Sequence, residues 1–186
     1  MDLEKFYLKS KHWKLFLICV LLSIIMQILM IPTLIMSEDY LIFGIFIGVL
    51  GATVVLAFVG WLYFIIKGLS EKIYKGNLKV YRANYRFFVI FPTLYIFIVF
   101  TVLPQGFTVS TEGSTVGTMA QVLIIPAHLL SMFCIFFMMY KAAKTIKTVE
   151  FQSKVTFGDF AGEFFLLWFF PLGIWIVQPK INNFAE

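Results

Sequence analysis

The chain has 186 residues, of which 61% are apolar, 19% aromatic and only 13% charged, and its mean hydropathy is +0.92. Soluble domains are about 45 to 50% apolar, so this composition excludes an ordinary water-soluble enzyme or binding domain. The formal charge of +5 does not argue for nucleic acid, because the cations are confined to segments flanking long apolar runs, where membrane topology and anionic head groups account for them.

The first apolar run covers residues 15–36 and follows Lys5, Lys9, Lys11 and Lys14. It is longer than the roughly 7 to 15 residues of a signal-peptide core and has no Ala-x-Ala-like exit, so a retained transmembrane helix is predicted. Gln27 lies near its middle, and His12, between Lys11 and Trp13, reads as part of an interfacial aromatic anchor. A short link, Ser37 to Tyr40, predicts an antiparallel neighbour, with Glu38 and Asp39 placed to cap its start.

The second run covers residues 41–66 and carries Gly44, Gly48, Gly51 and Ala52 on one face. Small residues at this spacing let helix backbones approach closely, which drives association where lipid offers no hydrophobic push. Two partners are open for this face: the first or fourth helix of the same chain, or a second copy.

Between runs two and three, Lys72, Lys75, Lys79, Arg82 and Arg86 follow spacings of three and four, with Tyr74, Tyr81 and Tyr85 on an adjacent face. The pattern predicts an amphipathic helix lying at the membrane surface, its cations toward anionic lipid or a partner. The other reading is a solvated connector whose charges only enforce topology.

Run three covers residues 87–103. The loop over residues 104–121 is rich in Thr, Ser and Gly and is expected to form a small hairpin, a lid or a plain spacer. Run four covers residues 122–140, with His128 toward its outer end. At about 1.5 Å per residue these runs match or nearly match a hydrocarbon layer of about 30 Å. Cys19 and Cys134 fall at comparable depth inside runs one and four and read as buried small hydrophobes.

The last apolar stretch, residues 164–177, is too short for a straight span at about 21 Å and contains Pro171 and Gly173. A re-entrant or interfacial segment returning Lys180 to the cytoplasm is expected, buried against other protein. The run from Trp168 to Asn182, including Phe169-Phe170-Pro171-Leu172-Gly173-Ile174-Trp175, is similar to C-terminal segments of small uncharacterised bacterial multispan membrane proteins. That resemblance covers the tail alone and implies no activity.

All fifteen Lys and Arg residues thus lie on one side of the four spans, and the intervening loops carry only Glu38, Asp39 and Glu112. Positively charged loops are retained in the cytoplasm, so both termini are expected inside and the protein in a plasma (bacterial inner) membrane. The expected fold is an all-α polytopic bundle of four spans, one domain over residues 1–186, plus the short C-terminal segment.

No metal-ligand spacing, cofactor motif or catalytic triad is present in the sequence. The function these features suggest is a non-enzymatic subunit or scaffold that binds partner membrane proteins or lipid. The alternatives are an oligomeric conductor of solutes or ions, with Gln27 and His128 on a polar path, and a lipid-modifying enzyme using Asp159 and Glu163.

Overall fold

A computed structural model describes residues 3–36, 40–73, 84–102 and 115–185, and these are helical apart from short turns. Helix α1 (Leu3–Lys9) is separated from α2 (His12–Phe16) by an extended residue, Lys11. A π-helical turn over Leu17–Leu21 joins α2 to α3 (Leu22–Met36), so α2 and α3 form one rod. Then follow α4 (Tyr40–Ser70), α5 (Arg86–Val102), α6 (Thr115–Phe151), α7 (Phe157–Trp168) and α8 (Phe170–Ala185).

Among the described residues three helices are long and apolar enough to cross a membrane: His12–Leu29, Ile42–Ser70 and Val122–Phe151. Helix α5 is equally apolar in character but shorter, with 17 residues. Many large apolar side chains face outward, among them Leu123, Leu129 and Phe133 on α6 and Ile42 and Phe46 on α4. In water such exposure marks a sticky surface; against lipid tails, as apolar as leucine, it is the expected finish of a helix.

The glycine face of α4 meets α5. A Cβ at Gly44 would overlap the Thr101 carbonyl, one at Gly48 would lie 2.8 Å from the Phe97 carbonyl, and one at Gly51 would lie 2.6 Å from the Phe100 ring. All three glycines are buried, and Ala52 beside them is half-buried. The expected neighbour was the first or fourth helix; the close neighbour is the third. The contact is set by the antiparallel return of the chain, which brings the far end of α5 beside the start of α4.

The buried core gathers at the opposite end of the bundle, which carries Lys67 and Lys147 and is called the basic end below. Trp61, Leu62, Ile65 and Leu69 of α4 pack there against Met138, Ala142 and Ile146 of α6, Leu167 of α7 and Ile174, Val177 and Ile181 of α8. Helix α6 ends at Gln152, whose φ of 46° turns the backbone left-handed, and whose amide donates to the Val149 and Lys72 carbonyls.

The apolar stretch over residues 164–177 is divided by a sharp corner at Phe169 (φ −84°, ψ 53°). Phe169 accepts from the N–H groups of Leu172 and Gly173, while Pro171 occupies the first turn of α8, where its missing N–H costs nothing. Helices α7 and α8 fold back on each other so closely that a Cβ at Gly173 would overlap the Leu166 carbonyl. The expected single segment is therefore two helices, each extending well beyond it.

Other boundaries differ as well. Helix α1 was absorbed into the cation pattern, although Leu3, Phe6 and Tyr7 have helical spacing. Residues 115–121, expected in the loop, are helical, and the remainder of that loop lies outside the described residues.

The α4–α5 contact makes a paired prediction. Gly44→Ala should lower the unfolding midpoint in detergent, because backbone must move to admit the methyl. Gly158→Ala meets open space and should be neutral or stabilising by up to about 1 kcal/mol; equal behaviour of the two variants would refute the packing argument.

Candidate functional site

Two polar clusters fasten the α7–α8 pair to the bundle, and a cavity lies over its corner. The first cluster centres on Gln178, which is 0% exposed. The Trp61 indole N–H donates to its Oε1 at 2.8 Å. Its Nε2 has the Tyr7 carbonyl at 2.9 Å, the Ser10 carbonyl at 3.1 Å and Asn182 Oδ1 at 2.9 Å as acceptors. Asn182 Nδ2 also donates to the Ser10 carbonyl. One amide thereby satisfies the carbonyls freed where α1 ends and ties α1, α4 and α8 together.

The second cluster is a square of alternating charge. Lys147 Nζ lies 2.9 Å from Glu150 and 3.0 Å from Glu163, and Lys180 Nζ lies 2.6 Å and 2.9 Å from the same two carboxylates. It joins α6, α7 and α8. Burial alone would raise the Glu163 carboxyl, but hydrogen bonds from Lys180 and Lys147 outweigh it and hold the group below the ordinary carboxylate range. Asp159 sits one helical turn earlier and closes a capping box with Thr156, whose N–H and Oγ1 donate to Oδ2 at 2.7 and 2.8 Å; those bonds lower its pKa. Both acids that an enzymatic reading relied on are therefore held by partners, one by a helix start and one by two lysines. A further pair, Lys67 with Glu4 at 2.7 Å, anchors α1 to α4.

The cavity has a volume of about 540 Å³ and is walled by the α2–α3 rod, α4 and α6, with Trp168, Phe170 and Pro171 from the α7–α8 corner. Its described lining is uncharged and mostly apolar, with Ser23 and Gln27 as its amide and hydroxyl groups. Ser23 Oγ donates to the Cys19 carbonyl at 2.7 Å, within the π-helical turn. A volume of this size is typical of a small-molecule site.

The residues singled out from sequence are dispersed. Gln27 lines the cavity, whereas His128 is not among the residues that line it; its Nδ1 shares a hydrogen bond with Tyr95 Oη of α5 at 3.1 Å. The two do not converge on one polar path within the chain. Gly44, Gly48 and Gly51 are covered by α5 and offer no free groove to a second copy.

Of the basic stripe, Lys75, Lys79, Arg82, Tyr74 and Tyr81 lie outside the described residues. Arg86 is exposed at the start of α5. Lys72 lends its carbonyl to Gln152. Tyr85 is a correction: it is 6% exposed and packs on Phe88 and Phe137 inside the bundle rather than on a surface stripe, because its ring fills the space between α5 and α6. His12 lies against Trp175 of α8, ring centroids 4.5 Å apart. Cys19 and Cys134 are buried free thiols.

Sequence reasoning missed Gln178 and Trp61. A glutamine inside an otherwise apolar, Trp-rich helix was the available signal, obscured by its place in the polar exit Gln178-Pro179-Lys180.

Two outcomes follow. Gln178→Leu strands the Trp61 N–H and the Tyr7 carbonyl, while the Ser10 carbonyl keeps Asn182 Nδ2; at about 1 to 3 kcal/mol per buried unsatisfied group, unfolding in mild detergent should show a loss of at least about 2 kcal/mol. Glu163, with its folded pKa depressed, contributes stability that is present above the ordinary value of 4.5 and disappears as pH falls through the lowered one. The unfolding midpoint should thus be level near neutrality and fall in acid, with a shallower acid fall in Glu163→Gln.

No family model matches the chain, and neither a curated protein nor a solved structure matches it.

Proposed function

We propose that this chain is a non-enzymatic integral membrane protein that holds lipid within its own bundle, as a subunit or scaffold of a plasma (bacterial inner) membrane. In this reading the α2–α3 rod, α4, α5 and α6 are four crossings. The 17 residues of α5 reach about 26 Å, close to the hydrocarbon thickness of about 30 Å. The α7–α8 pair enters and leaves from the cytoplasmic face. Support comes from the contacts at its two ends: Glu163 near its beginning pairs with Lys147 of α6, Lys180 near its end pairs with Glu150 one turn along the same helix, and the two pair with each other. Gln178 bonds to the N-terminal segment that carries Lys5, Lys9 and Lys11. All fifteen cations then obey the positive-inside rule.

The observation that carries the lipid-holding reading is the cavity above the corner. From Lys180 back to Pro171 is nine residues, about 14 Å of helix, which is roughly half the hydrocarbon layer. Above that depth the cavity lies between the rod, α4 and α6, and its described lining is uncharged. Water does not stabilise such a space within a bilayer, whereas an acyl chain fills it with dispersion contacts.

Topology and lipid retention test the proposal together. A cysteine introduced as Asn183→Cys should react with a membrane-impermeant maleimide only in inside-out vesicles; labelling in right-side-out vesicles would overturn the re-entrant hairpin. After exhaustive exchange into detergent, the wild type should retain lipid detectable by mass spectrometry, and Val55→Phe, which narrows the cavity, should retain less.

A further inference from the structure

The cavity has a polar end and an apolar end, and the inference drawn from them rests on the lipid-holding reading. Gln27 lies eight residues beyond Cys19 along the rod, about 12 Å farther from the basic end. The corner residues Trp168, Phe170 and Pro171 form the apolar floor. Gln27 is exposed, lines the cavity and makes no hydrogen bond with another described residue. An amide left without a partner in hydrocarbon is costly, so its donors call for an acceptor brought by the occupant. The nearby Ser23 hydroxyl, which gives its proton to the Cys19 carbonyl, makes no hydrogen bond with Gln27.

The lining also limits what that occupant is. No described lining side chain carries a charge that would compensate a phosphate, and burying an uncompensated ion is strongly unfavourable. The hairpin closes the floor, so the occupant enters from the outer side, with its polar group uppermost. The apolar lining below that group suits a hydrocarbon tail.

We propose that the cavity binds an uncharged acylglycerol, an ester carbonyl accepting from Gln27 Nε2 and one acyl chain running down to the Trp168–Pro171 floor. The π-helical turn at Leu17–Leu21 widens the rod where the chain end lies. π-Turns are frequent at functional sites.

The test uses the full chain in mild detergent with radiolabelled dioleoylglycerol. Wild type should bind it saturably, and unlabelled dioleoylglycerol should displace it, whereas dioleoylphosphatidylglycerol and a lipid quinone should not. Gln27→Leu, which removes the amide while leaving a lipid-compatible side chain, should weaken binding roughly two- to ten-fold, the range of one neutral hydrogen bond. Val55→Phe, which puts a ring into the cavity, should weaken binding; where that variant fails to fold, Val54→Phe serves the same purpose. Undiminished binding by Gln27→Leu, or displacement by the phospholipid or quinone as effective as by dioleoylglycerol, would overturn the acylglycerol assignment alone. Undiminished binding by the folded cavity-narrowing variant would overturn the lipid-holding reading beneath it.

Discussion

A glutamine amide buried without access to solvent decides where the last thirty or so residues of this chain can lie. Apolar surface alone does not do so, because a leucine facing lipid gains little by facing protein instead. Gln178 is different. Its oxygen and both its donors must be satisfied within the core, and the acceptors and donor that satisfy them come from Tyr7, Ser10, Trp61 and Asn182. Only one placement of α8 against α1 and α4 meets that demand. The charge square on α6, α7 and α8 adds a second fixed point a few residues away. With α8 held at its end and α7 near its beginning, the corner at Phe169 has a fixed reach.

The cavity is a consequence of that reach. The α7–α8 pair packs tightly against itself, since Gly173 admits no side chain beside the Leu166 carbonyl, and it is too short to extend along the full length of the rod. Among the described residues the rod and α6 therefore share a protein partner near the basic end and border the cavity farther out. Core packing follows the same division: the fully buried residues cluster from Leu62 to Leu69 and from Met138 to Ile146, while residues 122–130 of α6 are half-buried or exposed. Farther out, α4 and α5 solve the same problem differently, by bringing backbones together over glycine.

The helical character, and three helices long and apolar enough to cross a membrane, were legible because apolar run length is a strong, local signal. The glycine spacing likewise announced a close contact. The partner of that contact was not legible, since the spacing describes only one of the two surfaces; α5 presents Thr101, Phe97 and Phe100, which carry no distinctive pattern. The cation count was read as topology, which hid that Lys67, Lys147 and Lys180 also form ion pairs with specific acids. Gln27 and His128 looked equivalent as polar residues within apolar runs. Only their neighbours separate them: a tyrosine on α5 takes up His128, whereas Gln27 faces open space on the rod.

On the proposed threading, the charge square also explains how a hairpin ending in a lysine can rest against a low-dielectric core. Two lysines and two glutamates sum to zero, and each charge has two opposite neighbours within about 3 Å. Such a group carries a smaller desolvation penalty than any of its members alone, while removing one member leaves an uncompensated charge. A hairpin anchored in this way does not need a long apolar span to stay in place. Its tip is free to be short, aromatic and blunt, and the volume it leaves vacant above it becomes available to lipid.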